Sequence, residues 1–205
     1  MKISAVVFDF GGVMTTSTMP ERVIDLAGET GIPFGIIKEG FSRHRLKYDA
    51  DDMTLREMYE AIWKEAGLTV DGKTTERFLE ADSASWLYRN ERTREWMEEL
   101  KKRGFKIGIL TNMSSTFGNL HFKKTFADCI ALADAMVISG EERLFKPQPA
   151  IYNLLRERID LPAEELCFID DVEKNVAGAE ACGWHAIRFL TNAQTEEDFE
   201  RLLKA

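Results

Sequence analysis

Polar side chains that could do chemistry follow three short apolar runs of the sequence, each at the point where a strand would end. The first run, Ala5 to Phe8, is rich in β-branched residues, which predicts a strand buried on both faces of a parallel sheet. The carboxyl ends of parallel strands lie along one edge of the sheet, where open α/β folds bind ligands. The groups that this edge would bring together are Asp9, the pair Thr111-Asn112 and the pair Asp170-Asp171.

A lysine joins these groups. Lys146 precedes Pro147, and a residue before proline favours an extended conformation, so we expect Lys146 on a loop at the same edge. Three carboxylates close together repel one another and stay ionised only with a cation among them. Carboxylate oxygens suit Mg²⁺, which also binds water and substrate phosphate. Lys146 and the Thr111 hydroxyl would then hold a phosphoryl group that an aspartate could attack.

The elements that must position these groups alternate between strand and helix after residue 89. Between residues 19 and 88, apolar residues recur at helical spacing and no strand is predicted. We therefore expect an α/β fold with a doubly wound, Rossmann-like parallel sheet. Its core would comprise residues 1–16 and 89–205, with an all-helical cap, residues 17–88, inserted after the first strand. Because this insertion leaves from the ligand-binding edge, it is well placed to act as a lid.

Several boundaries of individual elements can also be predicted. Thr54 and Glu57 have the spacing of a capping box, so a helix should begin after Thr54. Strands are expected at 105–110, 135–138, 166–169 and 185–190. The remaining expectations are a polar loop at Thr15–Thr18, a helix over about 33–46, a helix from Thr74 or Thr75, a weak helix over 115–123 and a last helix from Thr195.

Composition limits the classes of function. The 205 residues include 27 basic and 35 acidic side chains and carry a formal net charge of −8, so nucleic acid is not expected as the main partner. Three cysteines without paired spacing argue against a disulfide framework and fit a reducing compartment. No apolar stretch reaches the length of a membrane span, and no signal peptide is predicted. We expect a cytoplasmic protein, as a monomer or a homodimer.

Taken together, the four polar segments resemble the four motifs of the haloacid dehalogenase-like hydrolase superfamily, in chain order and spacing. The resemblance covers nearly the whole chain, and residues 19–88 match the position of a helical cap in that superfamily. It implies a Mg²⁺-dependent phosphatase that acts on a small phosphate ester, such as a sugar phosphate, through an aspartyl-phosphate intermediate.

The same resemblance implies a role for each segment. Asp9 would be the nucleophile, Thr111 and Asn112 would bind the phosphoryl oxygens, and Lys146 would stabilise both nucleophile and phosphate. The turn at Gly11 and Gly12 would also contact the substrate. The implied metal ligands are Asp9, Asp171, Asp170 and the backbone carbonyl of Gly11, with Asp171 favoured over Asp170 as the direct ligand.

One position departs from the usual pattern. Phosphatases of this superfamily carry a second aspartate two residues after the nucleophile, as general acid and later base, and here that position is Gly11. The form Phe-Asp-Phe-Gly-Gly-Val is similar to a branch near the epoxide hydrolase amino-terminal phosphatases and bacterial glucose-1-phosphate phosphatases. General acid–base help is worth about 10²- to 10⁴-fold, so we expect a slow enzyme or one that prefers good leaving groups. The candidates for a cap residue that replaces the acid are Glu39, His44 and Asp49.

Other interpretations of the sequence remain open. A 2-haloacid dehalogenase would share the fold and the nucleophile but attacks carbon and needs no metal. The acidic pair Asp170-Asp171 argues against it, because two carboxylates repel a haloacid carboxylate. A non-catalytic binding module is the second alternative, supported only by the missing acid. Within the cap, Arg45 is expected on a solvated helix face, and Trp86 is expected to pack in the core.

Overall fold

A five-stranded, all-parallel sheet forms the centre of the computed structural model, which describes residues 2–16 and 20–204. Its strands are β1 (Ala5–Phe8), β2 (Lys106–Thr111), β3 (Ala135–Ile138), β4 (Leu166–Asp170) and β5 (His185–Arg188). The strand order is β3-β2-β1-β4-β5, which confirms the predicted doubly wound α/β sheet. The central strand β1 therefore pairs with β2 on one side and β4 on the other, and the carboxyl ends of both strands lie beside Asp9.

Helices cover both faces of this sheet. The major core helices are α5 (Glu91–Lys102), α10 (Pro149–Ile159), α11 (Glu173–Ala181) and α12 (Asn192–Lys204). Successive residues of a strand point to opposite faces. Accordingly, Val6 and Phe8 pack with apolar side chains of α5 and α12, whereas Ala5 and Val7 pack with those of α10 and α11. Burial on both sides explains why β1 is a continuous apolar run.

Among the described residues, four helices lie between β1 and α5, and we call residues 20–88 the helical insertion. They are α1 (Glu21–Thr30), α2 (Phe34–Asp49), α3 (Leu55–Glu65) and α4 (Gly72–Ser85). The helices bury a cluster of their own, separate from the two beside the sheet. The capping box of Thr54 and Glu57 is present at the start of α3, as predicted. Asp71, not Thr74 or Thr75, caps α4, because its carboxylate accepts from the N–H of Thr74 at 2.9 Å.

The two connections between the sheet and the helical insertion run side by side. The N–H of Thr16 donates to the carbonyl of Tyr88 at 2.9 Å, and the N–H of Asn90 donates to that of Met14 at 2.9 Å. An isolated antiparallel bridge joins Thr15 to Arg89 between them. The proposed boundary at residue 17 and part of the expected loop Thr15–Thr18 lie outside the described residues.

The segment between β2 and α10 contains the largest differences from the expected elements. The weak helix expected over 115–123 is divided into α6 (Ser115–Phe117), a wide helical turn at Gly118–Phe122 and α7 (Lys123–Thr125). Two further short helices, α8 (Ala127–Leu132) and α9 (Ser139–Glu142), follow. None of the helices in residues 2–16 and 20–204 combines the length and apolar character that a membrane span needs.

Candidate active site

Asp9 follows the central strand at the point where the chain turns. Its Oδ1 accepts a hydrogen bond from the N–H of Phe10 at 2.7 Å, and the side chain is buried. Gly12 has a φ of 72°, a left-handed conformation that favours glycine. Gly11 has φ −64° and ψ 129°, which any residue can adopt. The turn therefore requires glycine at position 12 but not at position 11.

Lys146 lies between two of the predicted carboxylates. Its Nζ is 2.7 Å from Oδ1 of Asp9 and 2.7 Å from Oδ2 of Asp170, and its side chain is 1% exposed. Burial by itself would lower the pKa of Lys146, but the carboxylates of Asp170 and Asp9 outweigh it and hold that pKa above the usual value. The lysine is thus a buried, charged group in direct contact with the candidate nucleophile.

Asn112 fixes the backbone of this lysine. Its Oδ1 accepts from the N–H of Lys146 at 2.8 Å, and its Nδ2 donates to the carbonyl of Lys146 at 3.1 Å. This reciprocal pair attaches the loop before α10 to the end of β2. Thr111 is the last residue of β2, on the strand next to Asp9, and is buried. The strand therefore ends one residue later than predicted, and Asn112 serves at least to position the lysine.

The three carboxylates of the sequence motifs converge. One oxygen from each of Asp9, Asp170 and Asp171 lies within 4.8 Å of the others. Burial raises the pKa of Asp9 well above its usual range, opposed by Lys146 and reinforced by Asp170. Burial and the neighbouring Asp170 raise the pKa of Asp171 to about 6. Such crowding is what a bound cation relieves.

Asp170 is held by more partners than Asp171. Besides Lys146, it accepts hydrogen bonds from the N–H of Val172 at 2.8 Å and from Nδ2 of Asn175 at 3.1 Å. The Oδ1 of Asn175 is buried and has no hydrogen-bond partner among the described residues. An all-oxygen carboxylate cluster with an unsatisfied acceptor beside it fits a hydrated Mg²⁺ ion, whose waters would donate to that acceptor.

A cavity of about 590 Å³ lies between this sheet edge and the helical insertion. Its volume is in the range of small-molecule sites. From the sheet side, Asp9, Gly11, Asn112, Lys146 and Asp171 line it. The helical insertion adds apolar side chains, among them Phe34, Phe41 and Leu46, and a polar group comprising Arg45, Tyr48, Asp49, Asp82 and Trp86.

This polar group is a connected cluster. The Nε of Arg45 donates to Oδ1 and Oδ2 of Asp49 at 2.9 and 3.1 Å, and its guanidinium lies 5.1 Å from the centre of the Trp86 ring. Asp82 accepts from the hydroxyl of Tyr59 at 3.1 Å and from Nε1 of Trp86 at 3.2 Å. Arg45 therefore does not belong to a solvated helix face, and Trp86 borders the cavity. The i,i+4 spacings of Arg45–Asp49 and Asp82–Trp86 were the sequence signal for these pairs.

The three residues considered as substitutes for the missing acid differ in whether they reach the cavity. The side chain of Glu39 is 77% exposed. His44 contacts Glu65 through Nε2 at 2.8 Å and is not part of the cavity lining. Asp49 is buried and lines the cavity. Only Asp49 of the three is therefore in reach of a bound substrate.

Comparisons with known proteins show what this chain is similar to. The family model described as haloacid dehalogenase-like hydrolase matches residues 3–183. Phosphatase MT3486 of Mycobacterium tuberculosis (strain CDC 1551 / Oshkosh) is 26% identical over 213 residues, covering 100% of this chain and 95% of that protein. (S)-2-haloacid dehalogenase 4A of Burkholderia cepacia is 26% identical over 94 residues, covering 46% of this chain and 40% of that protein.

A solved structure shows the same fold. It is that of the HAD family enzyme bt-2542 from Bacteroides thetaiotaomicron, in complex with magnesium and inorganic phosphate. It is similar to this chain with a TM-score of 0.68 at 21% identity, covering 91% of this chain and 93% of that one. With the family match over residues 3–183, this chain belongs to the haloacid dehalogenase-like hydrolase family.

Proposed function

We propose that the protein is a Mg²⁺-dependent phosphatase that hydrolyses a small phosphate monoester through an aspartyl-phosphate on Asp9. The observation that carries this proposal is the buried Lys146 ammonium, 2.7 Å from both Asp9 and Asp170, with Asp171 beside them. A positive charge and a carboxylate cluster at a nucleophilic carboxylate match what phosphoryl transfer needs, which is positioning and neutralisation of charge.

In this proposal an oxygen of Asp9 attacks phosphorus while Lys146 and the hydroxyl of Thr111 bind phosphoryl oxygens. The backbone of Gly11 and Gly12 contributes further contacts at the turn. Asn112 contributes mainly by holding Lys146 in place, as its reciprocal hydrogen bonds support. When bound, Mg²⁺ supplies neutralisation of the substrate phosphate. Its ligands would be Asp9, Asp171, the carbonyl of Gly11 and Asp170, with Asp171 favoured over the more heavily engaged Asp170.

The acidic pair favours phosphate esters over haloacids. A haloacid carboxylate would be repelled by the carboxylates of Asp9, Asp170 and Asp171, because Lys146 alone offsets their charge at the cluster. A metal ion held by these carboxylates would instead attract a phosphate. The relatives include proteins of both names, so the distinction rests on this cluster. The full-length similarity to a phosphatase and the magnesium and phosphate in the bt-2542 structure are further support.

Substrate choice would be set by the helical insertion, which acts as the cap of the site. We propose that the substrate is a sugar phosphate-like metabolite. The three cysteines are free thiols, in keeping with a reducing, cytoplasmic compartment. A screen across sugar phosphates, nucleotides and an aryl phosphate would identify the best substrate.

The proposal is tested by assaying release of phosphate from 4-nitrophenyl phosphate and release of halide from 2-chloropropionate. Phosphate release is expected, abolished by EDTA and restored by excess Mg²⁺. Asp171→Asn should remove the dependence on Mg²⁺ together with most activity, while Asp52→Asn, which changes an exposed carboxylate outside the cavity lining, should keep both. Metal-independent halide release would favour the dehalogenase, and ligand binding without any turnover would favour a binding module.

A further inference from the structure

The leaving group needs a proton donor that the turn after β1 does not contain. This inference rests on the proposed phosphatase activity. Gly11 carries no side chain, and the ring of Trp86 lies against it, with Cζ3 3.5 Å from the position of an added β-carbon. An alkoxide leaves poorly unless it is protonated as the bond to phosphorus breaks. An acid, if the reaction uses one, must therefore come from the other wall of the cavity.

Asp49 is fixed on that wall by the core of the protein. The Oγ of Ser139 donates to the carbonyl of Asp49 at 2.6 Å and accepts from the N–H of Met113 at 2.8 Å. Ser139 directly follows β3, and Met113 lies two residues after β2. The last turn of α2 is thereby attached to the same sheet edge that carries the candidate nucleophile.

The carboxyl of Asp49 has the environment of an acid–base group. It lines the cavity, and its side chain is 5% exposed. Burial raises its pKa above the usual value against the opposing effect of Arg45, with a smaller lowering by Lys146. Arg45 orients the carboxyl through its Nε and stabilises the carboxylate that remains after proton transfer.

Asp82 is the other buried carboxylate of the cavity wall, and it is less suited. Its oxygens accept hydrogen bonds from two neutral groups of the helical insertion, the Tyr59 hydroxyl and Nε1 of Trp86. The oxygens of Asp49 instead accept from the charged Arg45, which stabilises the carboxylate left after proton transfer. Asp82 therefore supplies a matched control: a second buried aspartate on the same wall, but directed towards Trp86.

We infer that Asp49 is the general acid and base of this enzyme, supplied by the helical insertion in place of the residue that Gly11 lacks. An oxygen of Asp9 forms a bond to phosphorus as the bond from phosphorus to the leaving oxygen breaks. The carboxyl proton of Asp49 passes to that oxygen, so the alcohol leaves neutral and Asp49 remains as carboxylate. Water then attacks phosphorus, its proton returns to Asp49, the bond to Asp9 breaks and phosphate is released.

The test compares two substrates that differ in their need for a proton. 4-Nitrophenyl phosphate leaves as a stabilised phenolate, whereas an alkyl phosphate such as glycerol 3-phosphate must be protonated. The measured quantity is kcat/KM, because it covers the steps up to departure of the leaving group. Asp49→Asn should lower kcat/KM by about 10²-fold or more for the alkyl phosphate and by less than about tenfold for the aryl phosphate.

Matched variants make the result specific. Asp82→Asn should leave the ratio of the two kcat/KM values as in the wild type, and Asp49→Glu should restore part of the alkyl activity because it keeps a carboxyl. If Asp49→Asn does not fold, Ser139→Ala is decisive, since it releases the Asp49 carbonyl and should lower alkyl turnover more than aryl turnover.

Three outcomes would overturn the inference: an equal loss for both substrates in Asp49→Asn, no loss for either, or a changed ratio in Asp82→Asn alone. Failure of the proposed function has a different signature. In that case the wild-type enzyme would release no phosphate even from 4-nitrophenyl phosphate with Mg²⁺ present.

Discussion

The indole ring of Trp86 packs against Gly11, with Cζ3 3.5 Å from the place where a β-carbon at position 11 would lie. The contact joins the end of the helical insertion to the turn that follows the candidate nucleophile. Since the backbone of Gly11 is ordinary, glycine is not needed there for the turn. The size of a side chain at position 11 is limited by the space beyond the β-carbon, because the Trp86 ring borders that space.

This contact predicts how an acid could be restored. Gly11→Ala should be tolerated and should raise the free energy of unfolding by about 0.4–1 kcal/mol, because its φ and ψ suit alanine. Gly11→Asp alone should gain little on an alkyl phosphate, since its carboxyl meets the ring. In an Asp49→Asn and Trp86→Ala background, Gly11→Asp should raise kcat/KM for the alkyl phosphate by at least about tenfold. No gain in that folded triple variant would count against the idea that the loss of an acid limits its rate.

The close surroundings of Gly140 predict that stability and activity depend on the contact between the helical insertion and the core. A β-carbon there would lie 2.4 Å from the backbone N of Ser115 and 2.9 Å from Oδ1 of Asp51. These two residues form a contact between insertion and core, because Asp51 accepts from the N–H of Ser115 at 2.9 Å. Gly140→Ala should therefore lower the free energy of unfolding by about 1–3 kcal/mol and lower kcat/KM.

Gly118→Ala is the control for that experiment. Its added β-carbon would be 3.5 Å from Cδ1 of Ile138, an ordinary contact. The φ of −52° and ψ of −50° at Gly118 suit alanine, so the free energy of unfolding should rise by about 0.4–1 kcal/mol and should not fall. Urea unfolding and steady-state kinetics of the two variants give the comparison, and indistinguishable behaviour would show that the Asp51 contact is not needed.

The raised pKa of Asp82 predicts that the free energy of unfolding depends on pH. Burial raises its pKa from 3.8 to about 6, opposed by Arg45, Tyr59 and Trp86 and reinforced by Asp49. Between these two values the folded protein holds a proton that the unfolded chain has lost, so stability falls as the pH rises through this window. The shift corresponds to about 3 kcal/mol, which Asp82→Asn should remove while keeping an acceptor for Tyr59.

The measurement is urea unfolding of the wild type and Asp82→Asn at about pH 3.5 and about pH 7, on either side of the window set by these pKa values. Taking the difference between the free energies of unfolding of the two proteins cancels the contributions of the other titrating groups. The wild type should lose stability relative to the variant as the pH rises. A constant difference across the window, or a change of the opposite sign, would show that the pKa of Asp82 is not raised in the folded protein.

The sheet and its catalytic edge could be predicted because their signals are local. Each of Asp9, Thr111 and Asp170 directly follows an apolar run, and parallel strands place their ends together whatever the rest of the chain does. The position of Lys146 depends on its own proline and on the loop that Asn112 fixes. The expectation of an acid missing at Gly11 also came from one local motif.

The opposite wall of the cavity could not be predicted in the same way. Arg45 and Asp49 come from the end of α2, while Asp82 and Trp86 belong to the end of α4, and only the packing of the helical insertion brings them together. The periodicity predicted an end of α2 near residue 46, but the helix continues to Asp49. That extra turn is what carries Asp49 to the cavity and to Ser139.

The central claim is that Asp9 receives the phosphoryl group. The direct measurement is mass spectrometry of enzyme quenched with acid during turnover of 4-nitrophenyl phosphate, together with the kcat of Asp9→Asn. We expect the phosphoryl group on the peptide that contains Asp9, and a loss of kcat by at least about 10⁴-fold in a folded Asp9→Asn protein. A phosphoryl group on another residue, or turnover retained by Asp9→Asn, would contradict the account.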